Sequence, residues 1–74
     1  MNELIPFWFL ADLSEEDNGP LTRCEGTIEA AYSPFGVVYF LNIPVMNLNC
    51  HLTDIKDGPI KLAAMRAIAN PASY

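Results

Sequence analysis

The two cysteines and the single histidine are the residues of this chain best suited to metal binding or nucleophilic chemistry. Cys50 and His51 are neighbours in the sequence, whereas Cys24 stands apart from both. Zinc normally takes four ligands with characteristic close pairs, and adjacent side chains of a strand point to opposite faces. A Cys–His nucleophile fails on the same geometry unless Cys24 meets His51 across the sheet. We therefore expect no metal site, no cofactor and two reduced thiols that are buried for packing.

Acidic side chains form the other cluster with possible chemistry, at Asp12, Glu15, Glu16 and Asp17. Their spacing does not match the ligand pattern of an EF-hand. The segment 14–20 also contains Asn-Gly and a proline, which are typical of turns. It is predicted to be a solvated connection, with one helical turn capped by Ser14 as an option. The alternative is an acidic patch that meets a basic surface of a partner.

No sequence motif points to catalysis. The chain has no glycine-rich phosphate loop, no Gly-x-Ser-x-Gly and no carboxylate pair flanking a plausible cleft. Its 74 residues make a single domain, residues 1–74. A domain this small has few residues with which to enclose an active site and exclude water from it. The sequence therefore favours a protein that is not an enzyme.

The charge balance and the N-terminal segment limit the partners. Nine acidic residues against four basic residues give a net charge of −5, which repels phosphate backbones and anionic membrane surfaces. The apolar N-terminal run lacks a basic start and breaks at Asp12, short of the roughly 20 residues that span a bilayer. We expect a cytoplasmic protein, of a bacterial or infected host cell, without direct contact to nucleic acid or membrane.

Alternating apolar and polar residues predict strands over residues 21–32 and 47–53. Nearly continuous runs of apolar, aromatic and β-branched residues predict two more, over residues 4–13 and 37–43. Pro6 cannot donate a ladder hydrogen bond, which places the first strand at a sheet edge or starts it near the proline. Ser33 to Gly36 is predicted to form a type I turn. A helix is predicted over residues 59–69, with proline in its first position. The expected fold is α+β, a small antiparallel sheet of three to four strands with one C-terminal helix, in the order β-β-β-β-α.

This architecture leaves an apolar surplus. The chain is 51% apolar, and a domain of this size buries only about 60% of the surface that its unfolded chain exposes. One short helix cannot cover both faces of the sheet. Apolar side chains lie on both faces of the first and third strands and on a second side of the helix: Trp8 and Leu10 opposite Phe7 and Phe9, Val38 and Phe40 opposite Tyr39 and Leu41, and Leu62 and Met65 beside Arg66.

We therefore predict a protein-binding module that occupies a surface of a larger protein, with Trp8 as its anchor. Small, acidic chains without motifs are typical of inhibitors encoded by phages and mobile elements, including anti-CRISPR proteins. The alternatives are a homodimer or small subunit of an assembly, an acidic nucleic-acid mimic, and a self-sufficient monomer in which Trp8 closes the core. The predicted partner-binding residues are Trp8, Leu10, Phe40, Leu62, Met65, Arg66, Asp12, Glu15, Glu16 and Asp17.

Overall fold

The structure is a computed structural model that describes residues 2–12 and 19–70. Four strands form one antiparallel sheet in chain order, and a C-terminal helix packs on one of its faces. This confirms the α+β fold and the β-β-β-β-α order predicted from the sequence. The elements are β1 (Asn2–Asp12), β2 (Leu21–Ser33), β3 (Gly36–Ile43), β4 (Leu48–His51) and α1 (Pro59–Ala69).

The hairpin of β1 and β2 is the longest feature of the fold. Its register runs without interruption from Asn2 opposite Ala31 to Asp12 opposite Leu21. The first strand begins two residues earlier than predicted because Asn2 and Glu3 also find partners on β2. As Pro6 indicated, β1 lies at an edge of the sheet. The predicted helical turn after Ser14 lies outside the described residues.

Two short turns connect the remaining strands. Ser33 Oγ accepts a hydrogen bond from the Phe35 N–H at 3.2 Å and lies 3.2 Å from the Gly36 carbonyl oxygen. Gly36 has a φ of +135°, which only glycine adopts without strain. After β3 the chain forms a 3₁₀ turn over Pro44–Met46 and passes through Asn47 at a φ of 51°, a left-handed conformation that asparagine tolerates.

The fourth strand is shorter than the sequence predicts. Leu52–Asp54 forms a 3₁₀ turn rather than extending β4. The Ile55 N–H donates to the Leu52 carbonyl at 3.3 Å and turns the chain away from the sheet edge toward α1. The helix then begins at Pro59, as its position after Gly58 predicted.

The core lies between α1 and the face of the sheet that it covers, here called the covered face. Ala64 and Ala67 are the buried residues of the helix. Gly26 leaves room for Phe7, because a Cβ at this position would lie 2.8 Å from the Phe7 ring. The buried sheet residues are Ile5, Phe7, Phe9, Cys24, Ile28, Ala30, Leu41 and Ile43.

The two thiols are not equivalent. Cys24 is buried beneath the helix side of β2, as predicted, and both cysteines are free. The prediction that Cys50 is buried is wrong, because this residue is only partly covered. It lies on β4, an edge strand, whereas α1 packs mainly against β1 at the other edge.

Candidate functional site

The face of the sheet opposite α1 has no element packed over it in the described part of the chain, and it is called the open face. Alternate residues of all four strands point to it, in contrast to the buried residues of the covered face. Its members are Leu4, Pro6, Trp8 and Leu10 on β1, Arg23, Glu25, Thr27 and Glu29 on β2, Val38, Phe40 and Asn42 on β3, and Asn49 and His51 on β4.

One row of the open face crosses the whole sheet. Leu4 is opposite Glu29, which is in turn opposite Phe40 on β3. Phe40 pairs with His51 on β4, and the two rings lie 4.1 Å apart between centroids. The Glu29 carboxylate accepts a hydrogen bond from the Asn2 side-chain amide at 3.2 Å. This contact orients the Glu29 carboxylate toward Asn2, although Glu29 lies between Leu4 and Phe40 in the row.

A second row centres on Trp8. Its side chain is 38% exposed although tryptophan is the largest apolar residue of the chain. The Arg23 guanidinium lies 4.9 Å from the indole centroid, within the range of a cation–π contact. Arg23 also forms an ion pair with Glu25 at 3.6 Å. These contacts orient the indole without removing it from solvent.

Polar side chains separate the two apolar rows. Thr27, Asn42 and Asn49 are exposed, and within the described residues their side chains make no hydrogen bond. Two adjoining shallow grooves of about 370 and 390 Å³ share Thr27 and Asn42. Trp8 lines the first groove and Phe40 the second. The open face therefore offers apolar walls beside donors and acceptors that a partner's main chain can engage.

The structure brings part of the predicted site together at the edge of β1. Trp8, Leu10 and Phe40 share the open face, and Leu62, Met65 and Arg66 lie on the exposed side of α1. Trp8, Leu10, Leu62 and Arg66 line one groove between β1 and α1, whereas Phe40 and Met65 do not line it. Asp12 lies at the end of β1, where its carboxylate accepts the Gly19 N–H at 2.9 Å. The predicted acidic residues Glu15, Glu16 and Asp17 lie outside the described residues.

Sequence reasoning missed several members of the open face. Leu4 was recognised as pointing away from the core but was not assigned to the site, although it is more exposed than Trp8. Thr27, Asn42 and Asn49 were missed because their position depends on the register between strands. The alternation that placed Phe40 on this face also places Asn42 there, and that signal was present in the sequence.

A second group of exposed apolar residues surrounds the turn between β2 and β3. Phe35 is 100% exposed at the tip of this hairpin, and Tyr32, Val37 and Val38 beside it are exposed as well. The helix does not reach this end of the sheet, because α1 packs mainly against β1. Tyr32 and Val37 have the parity of the covered face, so the alternation pattern did not distinguish these two from core positions.

Titratable groups of the described residues do not form a reactive site. The Tyr32 hydroxyl donates to the Glu3 carboxylate at 3.3 Å across the hairpin. The negative charge of Glu3 is the main reason that the pKa of Tyr32 is raised above its usual 10.0. No three His, Cys, Asp or Glu side chains cluster as metal ligands within residues 2–12 and 19–70. The Tyr32–Glu3 contact thus joins two strands at the surface.

Comparisons of the chain with protein-family models, with curated proteins and with solved structures found no match. The functional interpretation therefore depends on the geometry and chemistry of the residues themselves. Among the described residues, no helix is long and apolar enough to cross a membrane.

Proposed function

We propose that this chain is a non-enzymatic protein-binding module that docks the open face of its sheet onto a larger protein. The observation that carries the proposal is the exposure of Leu4, Trp8 and Leu10 along one strand. The intervening residues of the same strand fill the core, so these three have no packing role beneath α1. A contiguous exposed apolar patch of this kind is typical of an interaction site.

Trp8 is the proposed anchor of the interface. Tryptophan is enriched among the few residues that carry most of the energy of an interface. The Arg23 guanidinium over the indole restricts its rotamers before binding, which lowers the entropy lost when the side chain enters a partner's pocket. Leu4 and Leu10 flank the anchor along β1 and exclude water around it.

The chemistry of the open face favours a protein as partner. Thr27, Asn42 and Asn49 can donate to and accept from a main chain, while the apolar rows bury carbon surface on either side. A module of 74 residues with a net charge of −5 fits an inhibitor that covers part of a larger complex. Inhibition of a bacterial defence system in the cytoplasm, as by phage-encoded proteins, is the specific form that we propose.

The alternative of an acidic nucleic-acid mimic has less support. Glu25 is paired with Arg23, and Glu29 accepts a hydrogen bond from Asn2. Both acids of β2 are thus engaged within the sheet, and apolar side chains flank them on the open face. A mimic needs a run of accessible charges, and its binding falls steeply with salt, whereas apolar docking does not.

Two aromatic variants at opposite ends of the sheet test the proposal. Trp8→Ala and Phe35→Ala each remove one exposed aromatic side chain. Each is used as bait with host lysate, and the protein captured by the wild type is then titrated calorimetrically. We expect Trp8→Ala to weaken binding by about 2 kcal/mol, roughly 30-fold, with a nearly unchanged melting temperature.

Phe35→Ala is expected to bind as the wild type does. Binding that survives Trp8→Ala but is lost with Phe35→Ala would move the interface to the hairpin tip and overturn the proposal. If binding falls steeply from low to high salt, and Trp8→Ala binds as tightly as the wild type, the result would favour the nucleic-acid mimic instead.

A further inference from the structure

Within residues 2–12 and 19–70, one edge of the strand β1 is unpaired. In that part of the chain β1 pairs with β2 alone, and it is eleven residues long. Because Pro6 has no N–H group, the ladder with β2 is complete only if Pro6 and every second residue point their main-chain groups away from β2. The N–H and C=O groups of Leu4, Trp8 and Leu10 then line the free edge, where another strand can add.

The sequence of this strand is nearly symmetric about Phe7. Leu4 and Leu10 are equidistant from it, as are the apolar pair Ile5 and Phe9. Pro6 and Trp8 next to the centre are both apolar, and Asn2 and Asp12 at the ends are both polar, whereas Glu3 corresponds to Ala11. A strand with such a pattern is complementary to its own copy run in the opposite direction.

A groove follows the same edge on the helix side. Its volume is about 320 Å³, and its walls are Trp8, Phe9 and Leu10 of β1 and Pro59, Leu62, Ala63 and Arg66 of α1. Leu62 is exposed although it is a large apolar residue. Within the described residues Arg66 forms none of the ion pairs. The groove therefore combines an apolar wall with an unused positive charge.

We propose that β1 pairs antiparallel with β1 of a second copy, with the two-fold axis at Phe7. The product is a continuous eight-stranded sheet with both helices on the same side. Each Leu4 then lies opposite Leu10 of the second copy, and each Trp8 opposite Pro6, so every inner pair on the open face is apolar. Such cross-strand pairs stabilise a sheet.

Charge complementarity supports this occupant and this register. Glu3 of the second copy lies opposite Ala11, next to Leu10 and on the side of the sheet that α1 covers. This position lies beside the groove that Arg66 lines, and Glu3, which accepts the Tyr32 hydroxyl through Oε1, has its second carboxylate oxygen for Arg66. The uncharged segment 4–11 occupies the centre. Glu3 of one copy is diagonal to Asp12 of the other, and the two acids point to opposite faces of the sheet.

Neighbouring registers are less favourable. Moving the axis to Trp8 places Leu4 opposite the Asp12 carboxylate of the second copy, so that an apolar side chain faces a charge. Moving it to Pro6 places the Glu3 carboxylate opposite Phe9 and the Asn2 amide opposite Leu10 of the second copy. Each Pro6 lacks a hydrogen bond to donate in either register, so this loss does not distinguish them. The axis at Phe7 avoids placing a polar or charged side chain opposite a large apolar one.

This dimer shares Leu4, Trp8 and Leu10 with the proposed partner interface, but it is measured on the purified chain without a partner, so the failure of one proposal does not decide the other. Sedimentation velocity over a micromolar concentration series measures the self-association. Leu10→Lys and Val38→Lys are a matched pair, since both residues are 46% exposed and both point to the open face. We expect a dimer whose dissociation constant rises about tenfold or more with Leu10→Lys and stays unchanged with Val38→Lys.

Circular dichroism of both lysine variants checks that the fold is retained. A wild-type chain that stays monomeric, or two variants that weaken the dimer equally, would overturn the proposal. If Leu10→Lys does not fold, the cross-linking experiment below tests the same interface without a charge.

Disulfide cross-linking tests the register in a Cys50→Ala background. Paired residues of this kind lie about 5.5 Å apart between Cα atoms, within disulfide range. A mixture of Leu4→Cys and Leu10→Cys chains is expected to give a cross-linked dimer under mild oxidation. Either variant alone is not, because identical positions lie six residues apart along the strand, about 20 Å. Cross-linking of one variant alone, or none in the mixture, rejects the axis at Phe7.

Discussion

Phe9 and Trp8 are neighbours on β1, yet their surroundings differ completely. Phe9 is 4% exposed and packs in the cluster that contains Ala64 and Ala67. Trp8 points to the open face, is 38% exposed and contacts the Arg23 guanidinium. The two residues are both aromatic and apolar, so residue type does not determine which of them is in the core and which is in the candidate interface. The position of α1 over one face of the sheet determines it.

The two faces also differ in how their residues fit together. On the covered face large side chains meet small ones: Phe7 fills the space over Gly26, and α1 presents two alanines. Close packing of this kind leaves no room for a further element. On the open face large apolar side chains stand beside polar ones with grooves between them. The part of the covered face beneath α1 is fully packed, whereas the open face leaves large apolar side chains exposed.

The largest expected effect separates these two neighbours. Phe9→Ala should lower the free energy of unfolding by about 3–5 kcal/mol, because it leaves a cavity under α1. Trp8→Ala should lower it by less than about 1 kcal/mol, since only a cation–π contact and partial burial are lost. Urea titrations of both variants measure the difference. An equal loss of stability would mean that Trp8 belongs to the core and would remove the basis for the open-face proposal.

A smaller effect is expected at Gly26. A Cβ there would lie 2.8 Å from the Phe7 ring and 2.9 Å from the main-chain oxygen of Asn42. Gly26→Ala should therefore cost about 1–3 kcal/mol as an overpacked position. Thr27→Ala on the adjacent open-face residue is the control and should change the unfolding midpoint little. A neutral Gly26→Ala would show that Phe7 can move and that the covered face is loosely packed.

The fold was predictable because each strand carries a local signal. Alternation placed Phe7, Cys24, Ile28 and Leu41 on one side, and Pro59 marked the start of the helix. The extent of helix coverage was not predictable, because it depends on how the turn after β4 directs the chain. For that reason Cys50 was expected to be buried and is not.

The candidate site was predictable only strand by strand. The parity of β1 correctly separated Trp8 and Leu10 from Phe9. Combining them with the helix residues required knowledge of where α1 lies. The structure brings Leu62 into one groove with Trp8 and Leu10 at the edge of β1, whereas Met65 lies outside that groove. Asn42 and Thr27 become neighbours only through the register of β2 with β3.

The thiols provide a milder comparison between centre and edge of the covered face. Cys24→Ala should lower stability by about 1 kcal/mol through lost burial, and Cys50→Ala should cost less because Cys50 is only partly covered. Thiol labelling under native conditions should follow the same order, with Cys50 reacting first. Equal labelling rates would indicate that the helix opens as readily as the edge strand.

The smallest expected effect concerns Tyr32, which has the parity of the covered face but lies beyond the helix and is exposed. The nearby Glu3 carboxylate raises the pKa of Tyr32, with its hydrogen bond to Glu3 adding to the effect. A raised pKa in the folded state means that folding favours the protonated hydroxyl. The contribution is fully present below the unfolded value of about 10 and is lost as pH rises through the folded value. Between about pH 9 and 11, the melting temperature of the wild type should thus fall slightly more steeply with rising pH than that of Tyr32→Phe. Parallel curves for the two proteins would mean that the contact with Glu3 does not persist in solution and that the end of the hairpin beyond α1 is not held together by it.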